Sequence, residues 1–477
     1  MKKNKILCAI LSMTILACAA GCSGVSTNTA AEKKDSAVAS GSDKTKNGAE
    51  SGSDKTADEG AAKDIAAEDR IAASDRVEIK GDVKSDRKYS LDAEMNAKED
   101  IAMPDTAPAE AAEETFTAEI PEMPVTEPST TTQEIPEAGQ LTAGEWNDNE
   151  NWGFFKNLVN SGKIEFPSYG LDPRNRIKVD VKNDSNAPVV NAKVRLLDAK
   201  DNSVLWSSVT DKTGTAYLFT DGTAGSVIVE AESGGIKNNS EGIIFDSEGS
   251  NTQGSSKKED DYEVSLKLAD NGVSYKKTDI MFIMDATGSM MDEMLFLQSE
   301  FSAITKDIGT QDVRYSVNFY RDEGDDYVTK CNDFTNDIST LQKLLNAERA
   351  DGGGDLPEAV DKILDETINK SNWADGSVKL AFLIFDAPPH DGTDAKILDT
   401  IKKASEKGIH IIPVVSSNSD RNTELFGRAL SITTGSTYVF LTDDSGIGDS
   451  HLEPIIGSYD VEKLYDIIIR IIKDYQQ

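Results

Sequence analysis

The fold of this chain of 477 residues is decided by one stretch, residues 280–289, which reads IMFIMDATGS. Its five leading apolar residues predict a strand that is buried on both faces. Asp285, Thr287 and Ser289 then lie at alternate positions on a loop that leads into a helix near Met290. Open α/β sheets hold their ligands on such loops, at the carboxyl ends of the strands. One carboxylate and two hydroxyls there predict a site for a hard cation such as Mg²⁺, Mn²⁺ or Ca²⁺.

The chain beyond this loop alternates between strand and helix patterns. A second buried-strand pattern spans residues 378–385 and ends at Asp386. Further strands are predicted at 313–320, 410–415 and 437–441, and helices at 394–407 and 461–474. Strands that alternate with helices predict a parallel-rich sheet covered on both sides. We therefore predict a doubly wound, Rossmann-like α/β domain over residues 275–477.

The spacing Asp285-x-Thr287-x-Ser289 resembles the metal-ion-dependent adhesion site of von Willebrand factor type A domains. In that family the first ligand loop follows the first strand, and a later strand ends in an Asp that supplies the last ligand. Asp386 stands at that later position. The resemblance implies metal-dependent binding of a protein ligand, whose acidic side chain completes the shell around the ion.

The glycine loop at 352–354 departs from the family pattern. Many family members place a Thr where this chain has Gly354, followed here by Asp355. We expect Asp355 to replace the Thr as a metal ligand, either directly or through water. Pro357 is expected in the first turn of the helix that follows. An additional acid at the site would reduce the need for an acidic group from the partner.

Other chemistries at these positions are less well supported. A phosphoryl-accepting aspartate would need a second acid where Thr287 stands, and the glycine loop lacks the Lys-Ser/Thr ending of a phosphate-binding loop. Asp285 could also serve only to cap the following helix. We therefore predict a binding protein and no enzyme. The alternatives are an envelope assembly factor or scaffold with a vestigial metal site and, less favoured, a metal-dependent hydrolase.

The amino-terminal 22 residues have the features of an export signal. Lysines at the start precede an apolar stretch at 6–20, which is short for a spanning helix, and small residues lead to Cys22. This resembles a bacterial lipoprotein signal, in which Cys22 is lipidated; Cys18 is a second candidate. We expect a lipoprotein anchored in the membrane and displayed on the bacterial cell surface. Only Cys331 lies outside this region, so no internal disulfide is expected.

Two segments follow the signal before any globular pattern begins. Residues 23–140 are rich in Ala, Ser, Thr, Asp, Glu and Lys and poor in aromatics, and Glu and Pro recur in the later part, which predicts a disordered acidic tether. Residues 141–175 include Trp146, Trp152, Phe154 and Phe155 close together. An aromatic cluster beside a globular domain usually finds cover on it, so we interpret this as a docking segment, with a binding patch as the alternative.

Residues 176–270 show short apolar alternations separated by turn residues, which predict an antiparallel, all-β sandwich of about seven strands. The segments 188–194 and 210–216 resemble the transthyretin-like, carboxypeptidase regulatory module found as a spacer in bacterial surface proteins. The formal net charge of the whole chain is -34, which argues against a nucleic-acid partner. The predicted order is therefore signal, tether, docking segment, β-sandwich and α/β domain.

Overall fold

The computed structural model describes residues 137–477, apart from 167–168, 170, 172–174, 222–224, 244–261 and 355. The predicted signal with Cys22, the predicted tether up to residue 136, and Asp355 all lie outside the described residues. All of the described residues belong to one compact unit of the chain.

The secondary structure falls into a strand-rich first part and a mixed second part. Within the described residues the strands are β1 (Thr142–Trp146), β2 (Ile177–Lys182), β3 (Lys193–Asp198), β4 (Val204–Val209), β5 (Thr215–Leu218), β6 (Val227–Ser233), β7 (Ile236–Asn239), β8 (Tyr262–Lys267), β9 (Lys277–Asp285), β10 (Val313–Tyr320), β11 (Thr329–Lys330), β12 (Ser377–Phe385), β13 (Ile409–Val415), β14 (Tyr438–Leu441) and β15 (Glu462–Lys463). The α-helices there are α1 (Trp152–Asn160), α2 (Met291–Ile308), α3 (Ile338–Ala347), α4 (Val360–Asn369), α5 (Asp394–Lys407), α6 (Arg421–Thr434) and α7 (Leu464–Tyr475). None of these helices is long and apolar enough to cross a membrane.

The largest sheet has eight strands in the order β11-β10-β9-β12-β13-β14-β1-β15. Its centre is parallel, because β9 pairs with β10 and β12, and β13 pairs with β12 and β14. Its outer strands pair antiparallel: β11 on one side, β1 and β15 on the other. The predicted α/β domain is thus confirmed as a mixed sheet with helices.

Helices cover both faces of this sheet, which explains the unbroken apolar run in β9. Ile280, Phe282 and Met284 join one buried cluster, with side chains from α2, α3 and α7. Met281 and Ile283 point to the other face and join side chains from α4, α5 and α6. Successive strand residues face opposite sides, so a strand covered twice is apolar at every position.

The strand-rich region forms two smaller sheets, β5-β2-β8 and β4-β3-β6-β7. The alternating apolar residues of β2, β3, β6 and β8 are buried in one shared cluster. The prediction of wholly antiparallel pairing is wrong, because β2 and β8 run parallel. Parallel neighbours need a long connection, and β3 to β7 lie between these two strands in the chain. Turn patterns cannot reveal a pairing over such a distance.

The segment ahead of this region packs on the α/β part. β1 inserts between β14 and β15 and pairs antiparallel with both. Just after it, Asp148 forms a buried ion pair with Arg428 of α6, and Trp152 and Phe155 of α1 are buried. The β4 side chain of Trp206 is buried too, and its indole N–H donates to Ser405 Oγ of α5 at 3.1 Å. Both earlier segments therefore contact the α/β part directly.

Candidate metal centre

The first side chains of the site follow the end of β9. Asp285 is fully buried, and its Oδ1 accepts hydrogen bonds from the Thr287 backbone N–H (2.9 Å) and hydroxyl (2.6 Å). The Thr287 and Ser289 hydroxyl oxygens lie 3.2 Å apart. Asp285 Oδ2 is buried without a hydrogen-bond partner. The alternate spacing seen in the sequence therefore brings all three oxygen-bearing side chains onto one short loop.

Asp386 comes to the same edge because β12 lies beside β9 in parallel register, with Ile384 opposite Met284. Asp386 is 1% exposed, and its Oδ1 is also buried without a hydrogen-bond partner. Parallel neighbours deliver their carboxyl-terminal loops to one edge of the sheet. Asp285 and Asp386 therefore lie close together at one edge of the sheet.

A third carboxylate, Glu358, completes the cluster. One carboxylate oxygen each from Asp285, Glu358 and Asp386 lies within 4.8 Å of the other two. Glu358 is 3% exposed, and its Oε2 has no hydrogen-bond partner. The Glu358 backbone N–H donates to the Pro388 carbonyl at 3.1 Å, which holds the glycine loop against the loop after Asp386. Three acids from three separate loops therefore converge.

The glycine loop lies so close to the first loop that a side chain on Gly353 would crowd both Thr287 and Glu358. A Cβ on Gly353 would meet both Thr287 Cβ and Glu358 Oε1 at 3.1 Å, and φ at this residue is +71°. The Gly288 N–H donates to the Gly352 carbonyl at 3.1 Å. Glycine at these positions lets the two backbones approach closely enough for Glu358 to reach Asp285.

Sequence reasoning missed Glu358 and chose its neighbour Asp355, which lies outside the described residues. The expectation that Pro357 lies in the first turn of the helix is also wrong, because α4 begins only at Val360. Glu358 consequently belongs to the loop and not to the helix. The one local signal was an acid directly after a proline in a glycine-rich loop.

The electrostatics of the cluster are those of crowded, desolvated acids. Burial, then the charge of Asp285, raises the pKa of Asp386 to about 8. The same two causes, in the same order, raise the pKa of Glu358 to about 10. Burial also raises the pKa of Asp285, against the hydrogen bonds from Thr287. Buried carboxylates without a counter-charge are unstable as anions, and a divalent cation among them removes that penalty.

Tyr320 adds a phenol to the same place. It ends β10 in register with Asp285, and it is fully buried. Burial, then the charges of Asp285 and Glu358, raises the pKa of Tyr320 well above its usual value. The hydroxyl therefore keeps its proton beside the carboxylates.

The residues present fit a hard divalent ion. Three buried carboxylate oxygens without partners and two hydroxyls make an all-oxygen donor set, which Mg²⁺, Mn²⁺ and Ca²⁺ prefer. Two large apolar side chains are exposed close to these residues in the chain: Met291 at 61%, at the start of α2 and two positions after Ser289, and Leu356 at 49%, two positions before Glu358. The surroundings therefore offer a partner apolar contact as well.

Part of the chain is similar to a known protein family. A family model described as the von Willebrand factor A domain matches residues 279–449. An ariadne-like RING finger protein of Acanthamoeba polyphaga mimivirus is 27% identical over 187 residues, covering 34% of this chain. The chain spans 18% of the length of that relative. The crystal structure of the conserved hypothetical protein BatB from Bacteroides thetaiotaomicron covers 42% of this chain and 98% of its own, with 13% identity and a TM-score of 0.31.

Proposed function

Residues 279–449 form a von Willebrand factor A domain, and from this premise we propose that the protein binds a protein partner through a divalent ion. Domains of this family are generally adhesion or interaction modules, and they often hold a metal at an adhesion site. One observation carries the proposal: the carboxylates of Asp285, Glu358 and Asp386 form one buried cluster, and each of the three has a buried oxygen without a hydrogen-bond partner. Buried carboxylates are normally paired, hydrogen-bonded or bound to metal.

In this proposal the ion is Mg²⁺, or Mn²⁺ or Ca²⁺, and the three carboxylates hold it together with Thr287 and Ser289. Asp355, proposed from the sequence, would act mainly through water. The ion supplies a positive charge that attracts an oxygen donor from the partner. The family resemblance implies that this donor is an acidic side chain. Glu358 adds a third negative charge at the site and so affects which donor the partner can supply.

The setting we propose is the bacterial cell surface. Cys22 would carry the lipid that anchors the chain in the membrane, and residues 23–140 would form the tether. Family members are typically extracellular or surface-exposed, which agrees with this setting. Two acyl chains or one chain with a second signal give stable anchoring, and lipidation of an exported Cys supplies such an anchor.

The remaining segments are proposed to support the binding domain. We propose residues 141–175 as the docking segment, 176–270 as a β-sandwich platform of the carboxypeptidase regulatory type, and 275–477 as the binding domain. Support comes from the two small sheets with their shared core and from the contact of Trp206 with α5.

Calorimetric titration of the mature chain with Mn²⁺ and Mg²⁺ tests the metal. Asp285→Ala should weaken binding at least about 100-fold, since loss of even an outer hydrogen-bonding partner weakens metal sites 10- to 100-fold. The matched control is Asp326→Asn, an exposed acid on the loop after β10, which should bind the ion as the native chain does. Far-UV circular dichroism should be the same for all three proteins.

The partner is tested by capture from envelope extracts, with and without EDTA, using Asp285→Ala beside the native chain. We expect proteins that are retained only by the native chain and only without chelator. Retention that survives both EDTA and Asp285→Ala would rule out the metal as the link. Absence of any binding heat with Mn²⁺ or Mg²⁺ would favour the scaffold alternative.

A further inference from the structure

We infer that the metal site accepts a neutral oxygen donor from its partner, such as an amide carbonyl or a hydroxyl, and discriminates against a carboxylate. The residue responsible is Glu358. This inference rests on the proposed function, because it concerns the donor that completes the shell of the same ion.

The charge count carries the inference. Asp285, Glu358 and Asp386 together bring three negative charges when ionised around a divalent ion, which leaves the centre with a net charge of about −1. A carboxylate from the partner would raise that to about −2 in a place where these three side chains are at most 3% exposed. Uncompensated charge is strongly disfavoured in such surroundings. A carbonyl or hydroxyl adds a donor atom without adding charge.

No basic side chain relieves this excess. Among the described residues, no ion pair joins the three carboxylates to a lysine, arginine or histidine. Arg321, a buried arginine directly after β10, is bonded instead to Glu348 at 3.4 Å and to the Arg349 carbonyl at 2.7 Å. Glu293 of α2 adds a further negative charge that acts on Asp386. The field at the site is therefore negative before a partner arrives.

Glu358 is also held in place, so it cannot readily swing away to admit a carboxylate. Its backbone N–H is bonded to the Pro388 carbonyl, and its carboxylate lies against Gly353 of the glycine loop. Its residue exposure of 3% leaves the side chain no solvent to move into. The third charge is thus a fixed part of the site.

The test is water-proton relaxation of the full chain loaded with Mn²⁺, titrated with acetate and, as the neutral probe of the same size, acetamide. A donor that enters the shell displaces water and lowers the relaxivity. In the native chain we expect acetamide to displace water at least as well as acetate. In Glu358→Gln, which removes one charge and keeps the shape, we expect acetate to bind at least tenfold more tightly than in the native chain.

A second variant and a control separate charge from shape. Asp386→Asn removes the same charge from a different ligand and should also gain acetate binding, whereas Asp326→Asn should behave as the native chain. The inference is overturned if acetate displaces water equally in the native chain and both ligand variants, or in none of them. If Mn²⁺ does not bind the native chain at all, the proposed function fails instead, and calorimetry shows this before any acetate is added.

Discussion

The molecule contains two clusters of buried charged side chains, and they differ in how their charges are balanced. In the first, Arg428 donates to both carboxylate oxygens of Asp148 at 2.8 Å and to Glu424 at 3.0 Å, with all three side chains fully buried. In the second, the carboxylates of Asp285 and Asp386 meet each other and no cation. A buried cluster that is complete within the chain holds the fold together, whereas an incomplete one indicates a ligand.

The largest expected effect comes from breaking the complete cluster. Arg428→Met should lower the free energy of unfolding by about 3–5 kcal/mol, because it leaves buried Asp148 without its ion-pair partner and takes from buried Glu424 one of its two arginine partners. Urea denaturation measures this. Removing the half-buried neighbour Arg421 by Arg421→Met should cost less, since its charge is partly screened by solvent. A loss below about 1 kcal/mol for Arg428→Met would mean that the ion pair is not desolvated in solution.

The next effect comes from completing the incomplete cluster. Mg²⁺ or Mn²⁺ at 100 times its dissociation constant should raise the free energy of unfolding by about 2.7 kcal/mol through binding to the folded state alone. Denaturation of the native chain with and without the ion measures it. Asp285→Ala should show no such gain, and an equal gain in that variant would place the ion elsewhere.

The smallest expected effect concerns a third cluster, in which His451 lies between two acids. His451 hydrogen-bonds through Nε2 to Glu293 (3.2 Å) and through Nδ1 to Asp443 (2.9 Å). Burial alone would lower the pKa of His451, but these two acids outweigh it and raise the pKa above its usual value. The raised pKa means that the stabilisation is fully present below the unfolded-state pKa of about 6.5 and is lost as pH rises through the folded-state pKa.

We therefore expect the difference in stability between the native chain and His451→Gln to be roughly 1 kcal/mol at pH 6 and to shrink at higher pH. Urea denaturation at several pH values, in chelator, measures it. A difference that grows with rising pH would contradict the assignment of the charged form to the folded state.

Much of the α/β part could be predicted because its signals are local. The apolar run at 280–284 is explained by cover on both faces, and α5 spans Asp394–Lys407 as its periodicity predicts. Asp285 and Asp386 were identified because each directly follows a buried-strand pattern. A side chain at the carboxyl end of such a strand has only one edge of the sheet to occupy.

Other features had no local signal. β1 contains the sequence TAGEW, which lacks a strong strand pattern, and its neighbour β14 is almost 300 residues away in the chain. Asp148 and Arg428 are separated by 280 positions. Glu358 reaches the cluster only because the glycine loop docks on two other loops. Each of these contacts depends on where distant elements pack.

The sequence by itself determined the class of the carboxyl-terminal domain, the metal-like spacing of Asp285, Thr287 and Ser289, and the candidate role of Asp386. These follow from patterns within ten residues, since backbone periodicity and ligand spacing are local properties. Only the tertiary structure decided that Glu358 is the third acid and that β1 belongs to the sheet. Their positions are set by packing across the whole domain, where burial of a side chain depends on neighbours that local patterns do not name.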